Sequence, residues 1–241
     1  MKTLFLILVC LFGLCPCKQE NPSAPKTAAA PALYDTLYVH APSGLVLRKT
    51  PSKDGKKIAS VPRDGRPLKV LEPADPGNRF TAEKIDSFEL SGGWVKVQTP
   101  GGEEGWLFDG YLSRYPPILG KSPAPYEAGE WFYRKVSPVK GERKLFSEME
   151  ETEGYRQWYK DSTFYETLHH PEGDYERLLL PPGKMTMQEA LVLFRPLWFG
   201  GAKTFAIYDA AKRRLNVSDA GDKQLVIELD ESGQMTIYYS N

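Results

Sequence analysis

Beyond residue 17 the 241-residue chain has no cysteine, and it holds only three histidines, His40, His169 and His170. The first absence excludes a disulfide framework and a cysteine nucleophile from the body of the chain. The second leaves too few neutral ligands for a zinc centre, and no pair of histidines has the i, i+4 spacing that sets two imidazoles on one helix face. His169 and His170 read as a solvated pair in "HHPEGD", with Glu166, Glu172 and Asp174 as the only nearby acids for a surface metal. Neither sign of charge is in excess, 31 basic residues against 31 acidic. Nothing in that balance favours nucleic acid or an anionic membrane surface as a partner. The acidic run "EMEETE" at Glu148–Glu153 has the look of a solvated face rather than an acid–base pair. "WFGGAKTF" at Trp198–Phe205 lacks the following helix that would make its glycines a phosphate cradle, and reads as a turn. No catalytic set, no metal and no cofactor is expected, and the chain reads as a non-enzyme.

The three cysteines, Cys10, Cys15 and Cys17, all fall in the opening "MKTLFLILVCLFGLCPCKQENPSAP". Lys2 precedes an uncharged, mostly apolar run from Thr3 to Leu14. That run is shorter than the roughly 20 residues a membrane-spanning helix needs, and it has the layout of a secretory signal peptide. Cysteines at the end of such a run resemble a bacterial lipoprotein signal. The resemblance implies lipid attachment at Cys17, which has Leu14 three residues before it, with Cys15 as the alternative. Residues 1–17 are then the signal, and 18–33, rich in Pro and Ala and free of aromatics, a tether.

From residue 34 to 115 short apolar runs alternate with Gly, Pro, Asp and Ser clusters: "TLYVHA", "GLVLRKTP", "KIASVP", "PLKVLE", "WVKVQT" and "EGWLFDGYL". Short strands at this spacing predict a small all-β sandwich or barrel. Alternation in Trp94–Gln98 places Val95 and Val97 on one face and Trp94 with Lys96 on the other. The order of "GLVLRKTPS" (Gly44–Ser52), "PRDGRPLKVLE" around Gly65, "GGWVKVQT" (Gly92–Thr99) and "GEEGWLFDGYL" (Gly102–Leu112) resembles the bacterial SH3-like (SH3b) domain. That resemblance implies a small barrel. Val46 and Thr50 depart from the usual Asn and Gly of the first motif, and an insertion, Pro73–Ser91, separates two strands. Within it "EKIDSFEL" is expected to extend a hairpin and pair back on the Trp94 strand.

A proline-rich segment, 116–129, is expected to separate this module from a second region, 130–241. There the apolar spacing of Leu145, Phe146, Met149, Tyr155, Trp158 and Tyr159 predicts two helices broken near Gly154. Thr186 and Glu189 stand in capping-box spacing before another helix that ends near Pro196. "TFAIYD", "RLNVS", "QLVIELD" and "MTIYYS" predict an antiparallel meander. The fold class is therefore mixed, an SH3-like β-barrel followed by an α+β domain with helices on a meander, and no internal repeat is visible.

The aromatics are the best functional signal. SH3-like modules place groove aromatics where Trp94 and Tyr111 fall, and flat rings with polar neighbours bind extended peptides or sugars. Trp94 and Tyr111 are expected to line a shallow groove with Lys96 beside it and the insertion along one rim. Trp106 is expected to cover the module's core, and Tyr155, Trp158 and Tyr159 to be core in the second region. Gly93 and Gly105, one before each Trp, are expected where the chain turns sharply. These features describe an exported, lipid-anchored envelope protein of a bacterial membrane that binds a peptidoglycan peptide or an envelope protein. The alternative is an assembly protein whose barrel packs on its own second region.

Overall fold

The computed structural model describes residues 35–120, 128–147 and 152–241; the lipid-attachment candidates Cys15 and Cys17 and the 18–33 tether lie outside them. Among the described residues the chain is mostly antiparallel β-sheet with two α-helices. Among the described residues no helix is long and apolar enough to cross a membrane.

Seven strands form the first sheet: β1 (Thr36–Val39), β2 (Leu45–Arg48), β3 (Lys57–Val61), β4 (Leu68–Glu72), β7 (Trp94–Gln98), β8 (Glu104–Phe108) and β9 (Leu112–Ser113), in the order β3-β2-β8-β7-β4-β1-β9. Val95 and Val97 point inward with Leu47, Leu68 and Leu107, as the alternation requires. Between β4 and β7 the insertion forms its own hairpin, β5 (Phe80–Ile85) and β6 (Phe88–Gly92). It pairs with itself and not with the Trp94 strand, because "EKIDSFEL" contains the turn: Asp86 takes a left-handed backbone, φ 52°, between Ile85 and Phe88.

The second sheet is built twice from one plan. Helix α1 (Ala128–Val136) precedes β10 (Val139–Phe146), β11 (Glu153–Tyr159), β12 (Phe164–His169) and β13 (Tyr175–Leu180). Helix α2 (Met187–Phe199) precedes β14 (Phe205–Asp209), β15 (Arg214–Ser218), β16 (Gln224–Leu229) and β17 (Met235–Ser240). The order is β10-β11-β12-β13-β17-β16-β15-β14, so the two fourth strands meet at the centre, with Leu178 opposite Ile237. The repeat lies in topology and not in residues, since "FYETLH" of β12 and "QLVIEL" of β16 hold equivalent places.

The two helices expected over 141–168 are strands. Tyr155, Gln157 and Tyr159 are buried while Arg156 and Trp158 face out, which is period two. A polar Gln157 on the inner face conceals that alternation, and Trp158, expected in the core, is 47% exposed. The capping box is present, with Glu189 N donating to Thr186 Oγ1 at 3.1 Å and Thr186 N to Glu189 Oε2 at 3.0 Å. The helix continues through Pro196 to Phe199, and Gly200 then caps it, its N–H on Pro196 O at 3.0 Å.

The described residues form one compact unit. The seven-stranded sheet keeps a small core of its own, but Ile85, Phe88 and Leu90 of the hairpin, with Ile118 of the proline-rich segment and Tyr115 just before it, join the core under α2. The expectation that this segment separates two cores is corrected at that seam, where Tyr115 and Ile118 are each 6% exposed. The hairpin tip closes an edge of the large sheet: Ser87 N donates to Ala206 O (3.2 Å), Ala206 N to Asp86 Oδ2 (2.7 Å) and Tyr208 N to Ser87 Oγ (2.6 Å). An uncovered edge strand presents unpaired N–H and C=O groups, and β14 is spared that. On α2, Gln188 grips the hairpin with both ends of its amide, accepting from Ser91 N (3.0 Å) and donating to Ser91 O (2.8 Å).

Candidate functional site

Tyr111 ends a single 3-10 turn, Asp109–Tyr111, and packs against both cores. Its hydroxyl donates to the Glu83 carboxylate. Burial first, and then Glu83, pushes this hydroxyl well above the ordinary phenol range, so it stays a neutral donor. Arg195 of α2 acts on the same hydroxyl in the opposite sense.

These groups border a cleft of about 330 Å³ at the seam between the seven-stranded sheet, the hairpin and α2. One wall is Tyr111, Glu83, Ile85 and Leu90; the other is Leu191, Val192, Arg195 and the Gly200–Ala202 turn; His40 and Pro42 complete it. Arg195 spends its Nε on Thr204 Oγ1 at 2.7 Å, and among the described residues it has no carboxylate partner. His40 is 1% exposed, and its Nε2 donates to Tyr115 O at 2.8 Å. A carbonyl can only accept, so Nε2 carries the proton and Nδ1 is an acceptor. Nδ1 is buried with no hydrogen-bond partner among the described residues. Burial lowers the pKa of His40 to about 4, which keeps the ring neutral at pH 7.

The expected groove residues divide. Trp94 and Tyr111 are the ends of a row of rings, with Phe80 and Phe108 interposed: Trp94–Phe80 centroids are 5.8 Å apart, Phe80–Phe108 5.1 Å and Phe108–Tyr111 6.5 Å. Trp94 is half-buried against Phe80, and Lys96 is paired with Glu72 across the strands at 2.7 Å. Of the three, Tyr111 alone borders the cleft, and Glu83, Ile85 and Leu90 of the insertion line one wall of it. Trp106 is half-buried opposite Arg48 and Lys96. Gly93 and Gly105 have no left-handed backbone; what Gly105 supplies is space, since a Cβ there would lie 2.7 Å from Arg48 O and 2.8 Å from Leu47 Cγ.

His169 bonds Asp174 at 3.0 Å, and Glu166 is held by Arg156 and Arg177, so two of the three acids near the histidine pair are already engaged. No cluster of three or more metal-ligand side chains forms among the described residues.

The α2 contribution was missed at the sequence level, although a signal existed. Ala190–Phe194 are buried on every side. A helix apolar all round is packed between two layers, and the second layer here is the hairpin.

No curated protein and no solved structure matches the chain. Residues 43–113, less than a third of the chain, match the family model of the bacterial SH3 domain. That stretch contains Glu83, Ile85, Leu90 and Tyr111 but none of α2. Residues 43–113, which hold six strands of the seven-stranded sheet and the hairpin, are thus a bacterial SH3 domain, and the helix facing them across the cleft comes from outside it.

Proposed function

We propose that this chain is a non-catalytic cell-envelope protein whose SH3 domain binds a cell-wall peptide or an envelope protein, with the seam cleft as its principal site. The observation that carries this reading is the meeting, in one cleft, of the SH3 aromatic Tyr111 with Arg195, which has no carboxylate partner among the described residues, and the apolar side of α2. The finer architecture, a closed SH3-like barrel followed by an α+β domain, belongs to the same proposal. Trp94 and Lys96 supply a secondary contact at the outer end of the ring row, for a ligand long enough to leave the cleft. The opening apolar run and cysteines support export and a lipid on Cys17, or on Cys15, which would hold the chain on a bacterial membrane with the tether as spacer. Mass spectrometry of the mature N-terminal peptide tests the lipid: an unmodified terminus beyond Cys17 contradicts it.

Retention of the soluble chain on purified peptidoglycan at moderate salt tests the site. Tyr111→Ala is expected to lose retention, Trp94→Ala to weaken it, and Leu145→Ser, at an 80% exposed position on the far edge of the second sheet, to leave it unchanged. Absence of retention by the wild type removes the cell-wall ligand. The hairpin tip and the Gln188 clasp favour a second reading, assembly, in which the SH3 domain's partner is its own second region. That reading gains if a cleft variant keeps full retention or the wild type shows none.

A further inference from the structure

We infer that the outer face of the first half of the eight-stranded sheet, β10 to β13, docks an acidic segment of a protein partner. Both helices and their shared core lie on the other face of that sheet. The strand register builds the outer face in rows. Lys144, Arg156, Glu166 and Arg177 stand opposite one another across the four strands. On one side of them run Lys140, Trp158, Phe164 and Leu179, and on the other Phe146, Gly154, Leu168 and Tyr175. Gly154 leaves the place of a side chain to the Phe146 ring, since a Cβ there would lie 2.8 Å from Phe146 Cζ.

The charge of these rows is one-sided. Two lysines and two arginines share a single carboxylate, Glu166, which is buried between Arg156 and Arg177. The two arginine side chains stay 42% and 40% exposed. Lys140 and Lys144 are exposed and form no ion pair among the described residues. Lys144 stands opposite Arg156, and like charges so placed destabilise a sheet. Carboxylates seated over this row would offset that repulsion.

The size and borders of the patch select the occupant. Three strand spacings of about 4.8 Å make it roughly 14 Å wide. Beyond β13 the Trp158 row continues as Thr236, Glu228, Arg214 and Asp209, where acids outnumber bases. A long polyanion laid across the strands would run onto those acids, and one laid along a strand would meet no more than two cations. A second copy of the same face would bring the same cations. Trp158, 47% exposed, and the half-buried Tyr175 flank the charges with flat apolar surface. The face therefore suits a short stretch of polypeptide in which acidic residues alternate with apolar ones.

The test titrates a short acetylated and amidated peptide of alternating glutamate and leucine into the isotopically labelled soluble chain, followed by NMR. The peptide is expected to shift the Trp158 indole N–H and Lys144, and its glutamine–leucine counterpart to bind at least tenfold more weakly. Lys140→Glu combined with Lys144→Glu, both at exposed positions, should weaken the acidic peptide at least tenfold while the spectrum stays that of the folded chain. Trp158→Ser should weaken it severalfold, whereas Ile207→Ser, at the far edge of the same face, should not. Equal binding of the two peptides, or no shift with either, overturns the inference. So does tighter binding of inorganic polyphosphate or of phosphatidylglycerol vesicles, which would give the face to a polyanion or a membrane surface.

Discussion

In the first half of the eight-stranded sheet α1 begins on a buried carboxylate; in the second half α2 begins on its own capping box and reaches that carboxylate through Trp198 near its end. Glu176, 2% exposed, accepts from Ala128 N (3.2 Å) and Gly129 N (2.7 Å) at the start of α1, and from Trp198 Nε1 (3.3 Å) and Tyr165 OH (3.1 Å). Glu130 holds Arg134, Arg143 and Tyr155, and Glu166 holds Arg156 and Arg177. The second half buries Thr204 as its one polar residue among those described, and packs through Leu191, Phe194, Leu225 and Ile237. One plan thus uses two kinds of packing. α1 is short and needs its first amides satisfied from the sheet, whereas α2 is covered on both sides because the SH3 hairpin lies over it. The apolar half carries the seam and the cleft.

Phe194→Ala breaks the apolar half most severely. The side chain is fully buried and stacks on Trp198 at 4.9 Å, and its loss should cost about 3–5 kcal/mol in denaturant unfolding. Glu176→Ala breaks the polar half, leaving two α1 amides and the Trp198 indole N–H without their acceptor. A loss of about 2–3 kcal/mol is expected, and a loss under about 0.5 kcal/mol would mean α1 does not depend on it. Gln188→Ala removes the clasp on Ser91 and should cost about 1–2 kcal/mol while loosening the hairpin in hydrogen exchange. Trp158→Ser, on the exposed face, should change stability by no more than about 0.5 kcal/mol.

Two buried groups titrate over one acidic range in opposite senses. Burial raises Glu176 to about 7, so the folded state holds its proton over a range where the unfolded state has released it. Its contribution is fully present below the ordinary glutamate pKa and is lost as pH rises through 7. His40, lowered to about 4, runs the other way: the unfolded ring protonates first, so stability is lost as pH falls from its ordinary 6.5 towards 4. Between about pH 4.5 and 6.5 the two contributions therefore offset each other in the melting temperature, and neither changes it further above about pH 7. Glu176→Gln should unmask the His40 contribution, a melting temperature that rises from about pH 4 to 6.5.

The SH3 strands were legible because their pattern is local: "WVKVQT" alternates cleanly, and turn residues bound each run. The meander strands were legible for the same reason. Strands β11 and β12 were not, because their inner faces carry Gln157 and Thr167 among the aromatics, polar groups whose place depends on partners distant in sequence. Tyr111 was legible from the SH3 motif, and it borders the cleft. Arg195 and His40 were not, since nothing local marks an arginine on an apolar helix or a lone histidine before "APSG" as neighbours. Trp94 misled through its exposed-face position, which Phe80 of the insertion partly covers.

Hydrogen exchange of the soluble chain, with and without solubilised peptidoglycan fragments, tests most directly whether the SH3 domain and α2 make one binding site. Slowed exchange is expected together in the hairpin (Phe80–Gly92), at Tyr111 and along the C-terminal half of α2 into the Gly200–Ala202 turn, with only minor change at Trp94–Gln98. Protection confined to Trp94–Gln98, with α2 unaffected, would place the ligand on the SH3 surface alone and contradict the seam.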